Sequence, residues 1–255
     1  MDLGLSKRVA IVTGSSQGIG RATALALGRE GARVAITYKE HPEKAAEVAQ
    51  AIAHMGGEAL TVGLDLGSAE SIHQATRSVL ERWGNIDILV NNAVQWGTRP
   101  PWNAPLFEEV PIEEWTRLYR TNSEGAYLAI QNVLPAMRRQ AWGRIVNISS
   151  GIAVDGFAGS GPYAAAKAAL HGLTRTLCKE LGPAGILVNV VMPGLTLTER
   201  NAARLPAELR AQVEQNSPIR RVLPPEEVAP MIVFLCSAAN TAVTGEIIRA
   251  SGGIT

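Results

Sequence analysis

Cysteine is scarce in this 255-residue chain: two, Cys178 and Cys236, both inside apolar stretches of helical pattern. They suggest neither a disulfide framework nor a metal site, and a reducing cytoplasm is the expected setting. A surplus of one charge is missing too. Lysine and arginine number 24 against 23 aspartates and glutamates, with no dense basic stripe, which disfavours nucleic acid as a partner. No apolar run approaches the ~18 residues of a membrane-crossing helix, and Met1 to Arg8 lack the apolar core of a secretory leader. Absent as well are internal repeats, a Pro/Gly-rich linker and a cluster with metal-ligand spacing. The expectation is a soluble single domain over 1–255, and 46% hydrophobic residues supply one large core.

Short apolar runs alternate with longer amphipathic ones. Residues 8–12, 33–37, 60–64, 86–90, 144–148, 186–191 and 246–250 read as strands, mostly β-branched and almost continuously apolar. Such strands are covered on both faces. Helical periodicity fills 18–30, 42–55, 68–83, 112–140, 163–181 and 225–238. This alternation predicts an α/β fold, a doubly wound parallel sheet of about seven strands with helices on both faces. Two stretches, 94–110 and 194–218, fit neither pattern and follow strand ends. Open α/β sheets bind ligands there, so they are candidate walls of a substrate pocket, 194–218 being a candidate mobile lid.

Three glycines, Gly14, Gly18 and Gly20, separate the first strand from the first helix. A tight turn without side chains lets a diphosphate approach the helix N-terminus, whose unpaired N–H groups and dipole favour anions. Ser15 and Ser16 add hydroxyl donors. The same glycines also suit an ordinary strand-to-helix turn. Tyr38 stands where an acid would chelate the ribose of NAD, and Lys39 follows. Without that carboxylate and with an ammonium beside it, a 2′-phosphate is favoured, so NADP(H) is the expected cofactor. NAD(H) stays open, as does a solvated surface role for Lys39.

Tyr163 and Lys167 are four apart at the start of a helix and share one face. Pro162 suits the first helical position. A free phenol has a pKa near ~10, and a nearby ammonium favours phenolate. By itself Y-x-x-x-K is a common and mostly structural match. In company it means more. The segment Thr13-Gly14-Ser15-Ser16-Gln17-Gly18-Ile19-Gly20, then Asn91-Asn92-Ala93, Asn122, Ser150 and Tyr163 to Lys167 together resemble the short-chain dehydrogenase/reductase family. The resemblance runs from Lys7 to Gly253 and is closest to the 3-oxoacyl-carrier-protein-reductase-like branch.

The resemblance implies a Rossmann fold and an NAD(P)-dependent oxidoreductase that reduces a ketone or oxidises the matching alcohol by direct hydride transfer. In it Ser150 binds the carbonyl oxygen, Tyr163 is the general acid, and Lys167 tunes Tyr163 and reaches the nicotinamide ribose. Asn122 bends a long helix and orders a water behind Lys167; a buried asparagine satisfying backbone is compatible with that. The cofactor would be held by Gly14, Ser15, Ser16, Gln17, Gly18, Ile19 and Gly20 with Tyr38 and Lys39. Asp65 would bind adenine beside Leu66, although Asp65 could also cap the helix near Ser68. Asn92 and Ala93 close the fourth strand; Pro193, Thr196 and Thr198 face the carboxamide. NADPH-dependent relatives often carry Arg or Lys where Gln17 stands.

Several residues depart from the family pattern. Val94 replaces a glycine, Ser251 an aspartate, and Ala141 and Ala184 the arginines that grip an acidic carrier. A carrier-protein partner is thereby disfavoured, with Arg138 and Arg139 near enough to substitute. Trp96, Trp102, Phe157, Met192 and Leu195 could line a wide apolar pocket for a small-molecule ketone, or the tryptophans could only pack a loop. The apolar faces of 112–140 and 163–181 point to a homotetramer. An epimerase would need a longer substrate domain, and a non-catalytic nucleotide-sensing regulator typically loses the tyrosine or lysine.

Overall fold

Seven parallel strands lie in the order β3-β2-β1-β4-β5-β6-β7 in a computed structural model that describes residues 2–97, 103 and 105–254. The strands are β1 (Val9–Val12), β2 (Arg33–Tyr38), β3 (Glu58–Gly63), β4 (Ile88–Asn91), β5 (Gly143–Ile148), β6 (Ile186–Pro193) and β7 (Ile247–Ala250). Every residue of β1, β4 and β5 is buried, because these strands run down the middle with helices on both faces. Only the edges see water: β3 carries alternating exposed positions and β7 is half-buried throughout.

The chain reverses sheet direction after β3, and the crossover from β3 to β4 sets a switch point between β1 and β4. On one face α1 (Gly18–Arg29), α2 (Pro42–His54) and α10 (Pro225–Cys236) bury Ala24, Leu27, Ile52, Val228 and Ile232 against the sheet. On the other, α3 (Ala69–Trp83), α5 (Gly125–Arg139) and α7 (Gly161–Leu181) bury Ile72, Val79, Val133, Met137 and Leu181. Each of these leucine, isoleucine, valine and methionine side chains contributes roughly 1.5–3 kcal/mol by leaving water, so two apolar layers clamp the sheet. Ser68 caps α3 by accepting from Ser71 N–H, and Gly84 ends it in the left-handed region.

At the amino edge, Asp87 accepts from Val9 N–H and Arg8, both at 2.8 Å. Beside it the buried Arg144 guanidinium donates to the carbonyls of Gly143, Gly185, Ser237 and Asn240. Burial lowers Arg144 to a pKa of about 10. Side chains thus fasten this edge, where an open depression is lined by Lys7, Arg8, Asn85, Asp87 and Gln140. Open α/β sheets bind ligands at the opposite, carboxyl edge.

Three elements differ from the sequence pattern. Residues 112–140 are two helices, α4 (Ile112–Tyr119) and α5, joined by a π-helical turn at Arg120–Glu124. Periodicity cannot show one inserted residue, since the apolar face resumes beyond it. The stretch 194–218 holds α8 (Glu199–Arg204) and α9 (Ala207–Asn216), neither with a buried residue, so no apolar stripe announced them. A further short helix, α6 (Ile152–Asp155), follows β5, and α7 starts at Gly161 with Pro162 in its first turn.

Candidate active site

The carboxyl ends of β1, β2 and β4 are tied by side chains rather than left to solvent. Buried Thr13 accepts from Asn92 N–H at 2.8 Å and Ala93 N–H at 2.9 Å, while Asn92 Nδ2 donates to the carbonyls of Thr13 and Gly14. Thr37 accepts from Gly14 N–H at 2.8 Å. Ser15 is fully spent here: its hydroxyl donates to Val12 O and accepts from Thr37 N–H. It therefore offers no donor to a ligand, contrary to the sequence expectation, and half-buried Ser16 is the serine left facing outward.

This lattice seats the glycine turn. A Cβ on Gly20 would lie 2.4 Å from both Asn92 Nδ2 and Gly14 O, so only glycine fits. Gly18 sits at φ +56°, in the left-handed region. The turn leads to an α1 N-terminus that its own N-cap, Gln17, leaves uncapped. Instead the Glu199 carboxylate accepts from Gly18 N–H at 3.0 Å, with Arg21 at 3.8 Å. An anion thus stands where a cofactor diphosphate would go, evidence that these residues fit such a group. Ile19 is half-buried on the same turn.

Further along the edge, half-buried Tyr38 ends β2, and Lys39 pairs with Asp65 at 3.0 Å. Desolvation pushes the Asp65 carboxyl up, but Gly67 N–H and Lys39 outweigh it and hold it below its ordinary value. Asp65 also accepts from Gly67 N–H, forming a turn before α3, whose cap is Ser68. Leu66 is not at the open face. It is buried in the apolar layer, with its carbonyl 2.5 Å from where a Cβ on Gly125 would sit. Val94 keeps an ordinary backbone, since the only non-glycine residues at positive φ among those described are Lys7, Ala141 and Arg220.

The expected catalytic side chains converge at the ends of β5 and α7. Ser149 and Ser150 follow β5 but diverge. Ser149 is buried and bound to Lys167 O and His171 Nε2, whereas half-buried Ser150 accepts from Ile152 N–H and has its hydroxyl near enough to the Tyr163 phenol to favour phenolate. Lys167, one turn along α7, is 3% exposed and donates to Ile148 O at 2.7 Å. An ammonium carries three donors, and that bond uses one. Burial lowers Lys167 to a pKa of about 8. For Tyr163, burial pushes the phenol well above its ordinary value, against the Ser150 hydrogen bond and the Arg200 charge. For Tyr163 burial is the largest influence, and Arg200 is the cation that opposes it.

Asn122 lies in the π-helical turn, 2% exposed. Its amide pairs twice with the Gln95 backbone, both bonds 2.8 Å, and its neighbour Ser123 donates to Ala166 O. The side chain thus ties the loop after β4 to the bent helix that packs against α7.

On the substrate side Trp96 stacks on Tyr163, ring centroids 4.9 Å apart, and Arg200 sits over the indole at 5.1 Å. A small cavity beside them is lined by Trp96, Val110, Leu118, Ser160, Pro162 and Tyr163. Of the other pocket candidates, Met192 is buried, Leu195 half-buried and Phe157 45% exposed, away from that cavity; Trp102 lies outside the described residues. Pro193 ends β6. Thr196 is 4% exposed with its carbonyl bound by Asn201, and Thr198 caps α8 while its methyl rests on the Gly18 turn. Thr13, Thr37, Gln95, Glu199 and Arg200 were not singled out as site residues from sequence. Thr13 precedes the glycines directly, but nothing local marks a glutamate 181 residues beyond Gly18 as its partner.

Compared with known proteins, residues 14–255 match the family described as enoyl-(acyl carrier protein) reductase. The chain is 40% identical over 255 residues to the 3-oxoacyl-[acyl-carrier-protein] reductase FabG of Aquifex aeolicus (strain VF5), covering 100% of both. A solved structure titled 7α-hydroxysteroid dehydrogenase complexed with NADH and 7-oxo glycochenodeoxycholic acid superposes with a TM-score of 0.93 at 31% identity, covering 100% of this chain and 96% of that one. The promiscuous reductase LugOII, which catalyses keto-reduction at C1 during lugdunomycin biosynthesis, gives 0.88 at 36% identity with 98% of each chain covered.

Gly20→Ala is expected to displace the Asn92 amide and weaken dinucleotide binding by at least ~10-fold. Leaving that amide unpaired also costs about 1–3 kcal/mol of stability. Isothermal titration and urea denaturation of the variant check both.

Proposed function

The chain belongs to the short-chain dehydrogenase/reductase family, and on that premise we propose that it reduces a ketone with NADPH, Tyr163 supplying the proton. The observation carrying this reading is the meeting of the Ser150 and Tyr163 hydroxyls above a buried lysine on the next turn of α7. Two hydroxyls can hold one carbonyl oxygen as it becomes an alkoxide. A phenol kept neutral by burial is the state that can donate. The bound nicotinamide would supply the hydride. Lys167, with donors left after Ile148, would hold the nicotinamide ribose and steady the phenolate left behind. Asn122 would maintain the helix bend and with it the water route behind Lys167.

The glycine turn, Ser16, Gln17, Ile19 and Thr198 would hold the diphosphate and carboxamide end, with Asn92, Ala93, Pro193 and Thr196 as its frame. Preference for NADPH rests on Tyr38 in place of an acid and on Lys39. The 3.0 Å pair with Asp65 holds that ammonium at the edge where a 2′-phosphate would lie, and divides its charge. The substrate reading is a small-molecule or acyl/polyketide-type ketone. An acyl-carrier substrate is supported by the Aquifex relative's name and by exposed Arg138 and Arg139, and opposed by Ala141 and Ala184. A cytoplasmic setting accords with the scarcity of cysteine; no helix among the described residues is long and apolar enough to cross a membrane.

We further propose a homotetramer. Ile112, Tyr119 and Tyr127 on α4 and α5 are 67%, 42% and 47% exposed, and Ala164, Ala165, Ala168 and Ala169 on α7 are half-buried. Leu170 is spent on the chain's own core, so the alanine face carries the contact. The half-buried edge strand β7 and α10 offer a second pairing surface.

Tyr163→Phe is expected to lower turnover at least ~100-fold with cofactor affinity retained, because only the transferable proton goes; stopped-flow hydride transfer and a binding titration measure the two. Specificity constants should favour NADPH over NADH in the native chain and swing toward NADH in Tyr38→Asp, where a carboxylate would repel the 2′-phosphate. A native preference for NADH would overturn the cofactor reading. Light scattering at micromolar concentration should give four times the mass of one chain, and a monomer would assign the exposed helix faces another use.

A further inference from the structure

Three consecutive residues at the start of α8 touch both halves of the site. Thr198 lies on the glycine turn, its methyl 3.1 Å from where a Gly18 Cβ would be. The Glu199 carboxylate takes the Gly18 N–H at 3.0 Å, with Arg21 beside it. Arg200 rests on Trp96, which also stacks on Tyr163 at 4.9 Å. A carboxylate and a diphosphate cannot share one helix N-terminus: both need the same N–H groups, and like charges repel. The same indole lines the cavity beside Tyr163, so its position bears on what can approach that ring.

We propose that the pair Glu199–Arg200, hinged on Thr198, is a latch that closes the site in the free protein and that cofactor phosphates release. Glu199 is an internal competitor for the diphosphate position. When phosphates take the Gly18 N–H, Glu199 leaves, the first turn of α8 moves, and Arg200 withdraws from Trp96. The indole then loses its cationic partner and uncovers Tyr163. Motion there is cheap: neither α8 nor α9 has a buried residue, and their attachment is a handful of polar contacts such as Asn201 to Thr196 O. The inference rests on the cofactor reading above and adds what the chain itself must give up.

Intrinsic fluorescence of the full chain tests it, with Trp96→Phe defining the Trp96 contribution. Inorganic pyrophosphate, which bears the phosphates alone, and NADP⁺ are titrated separately. The expected result is a saturable change in Trp96 emission with either. Glu199→Gln should bind both about two- to five-fold tighter, show part of that emission change without ligand, and be cut faster by protease within 194–218. Glu199→Ala repeats the measurement if the glutamine variant folds poorly. Affinity that is unchanged or weaker in both variants overturns the latch. So does NADP⁺ binding with a Trp96 signal that never moves, and this leaves the cofactor reading standing. No binding of NADP⁺ to the native chain overturns both.

Discussion

Thr13 is the point on which the site depends. A parallel sheet ends its strands with backbone groups that the ladder no longer pairs, and in the sheet's centre they are buried. Left alone, each costs about 1–3 kcal/mol. Here Thr13 Oγ1 takes the N–H groups of Asn92 and Ala93, and the Asn92 amide returns two bonds to Thr13 and Gly14. One hydroxyl and one amide thus close the gap between β1 and β4 at the switch point. The same bonds fix the glycine turn at the height from which α1 must start. Stability and ligand geometry are here a single set of contacts, and the turn's glycines follow from them: with Asn92 and Gly14 O fixed, a Cβ on Gly20 has nowhere to go.

A second buried polar chain carries that order to the helix that bears Tyr163. Asn91 donates to Asn147 at 2.9 Å, and Asn147 donates to Thr174 on α7. Ser149 binds Lys167 O and His171, and Lys167 binds Ile148 O. So α7 is pinned to β5 at three heights, and Tyr163 inherits that rigidity without any bond of its own to the sheet. A low-dielectric setting is the consequence of such packing. It moves Tyr163 and Lys167 in opposite directions, the phenol up and the ammonium down, each toward its neutral form. Starting from similar ordinary values, the two are thereby driven apart in proton affinity, which keeps the proton on the phenol.

Much of this was legible in the sequence, for reasons that can be named. Strand-helix alternation and continuous apolarity report burial on two faces, so the sheet and its helices emerged with ends off by a few residues. Tyr163, Lys167 and the glycines were legible because helical pitch and a tight turn are local. What could not be read is partner choice. Ser15 looks like a phosphate donor until Val12 O and Thr37 N–H are seen to use its hydroxyl. Leu66 looks like an adenine neighbour until it is found against Gly125. The π-helical turn at Asn122 is silent because the apolar face re-forms on its far side. Charge state is worse still: sequence places an ammonium near a phenol, but only three-dimensional burial decides which effect wins.

Thin burial coincides with the segment that touches both the Gly18 turn and Trp96. α8 and α9 have no residue in the core, and helices of six and ten residues are too short to hold themselves together in water. Their position is set by polar contacts to the turn, to Trp96 and to Thr196, each worth little and each exchangeable for a ligand's. The sheet is fastened elsewhere, at its amino edge by Arg144 and at its carboxyl edge by Thr13. That division matters. Rigidity sits where atoms must be held to fractions of an ångström, and exchangeable contacts sit where something must leave before something else can bind. Substitutions that extend the apolar face of α8 or α9 would gain stability at the expense of that exchange, the ordinary conflict between a tighter fold and a working site.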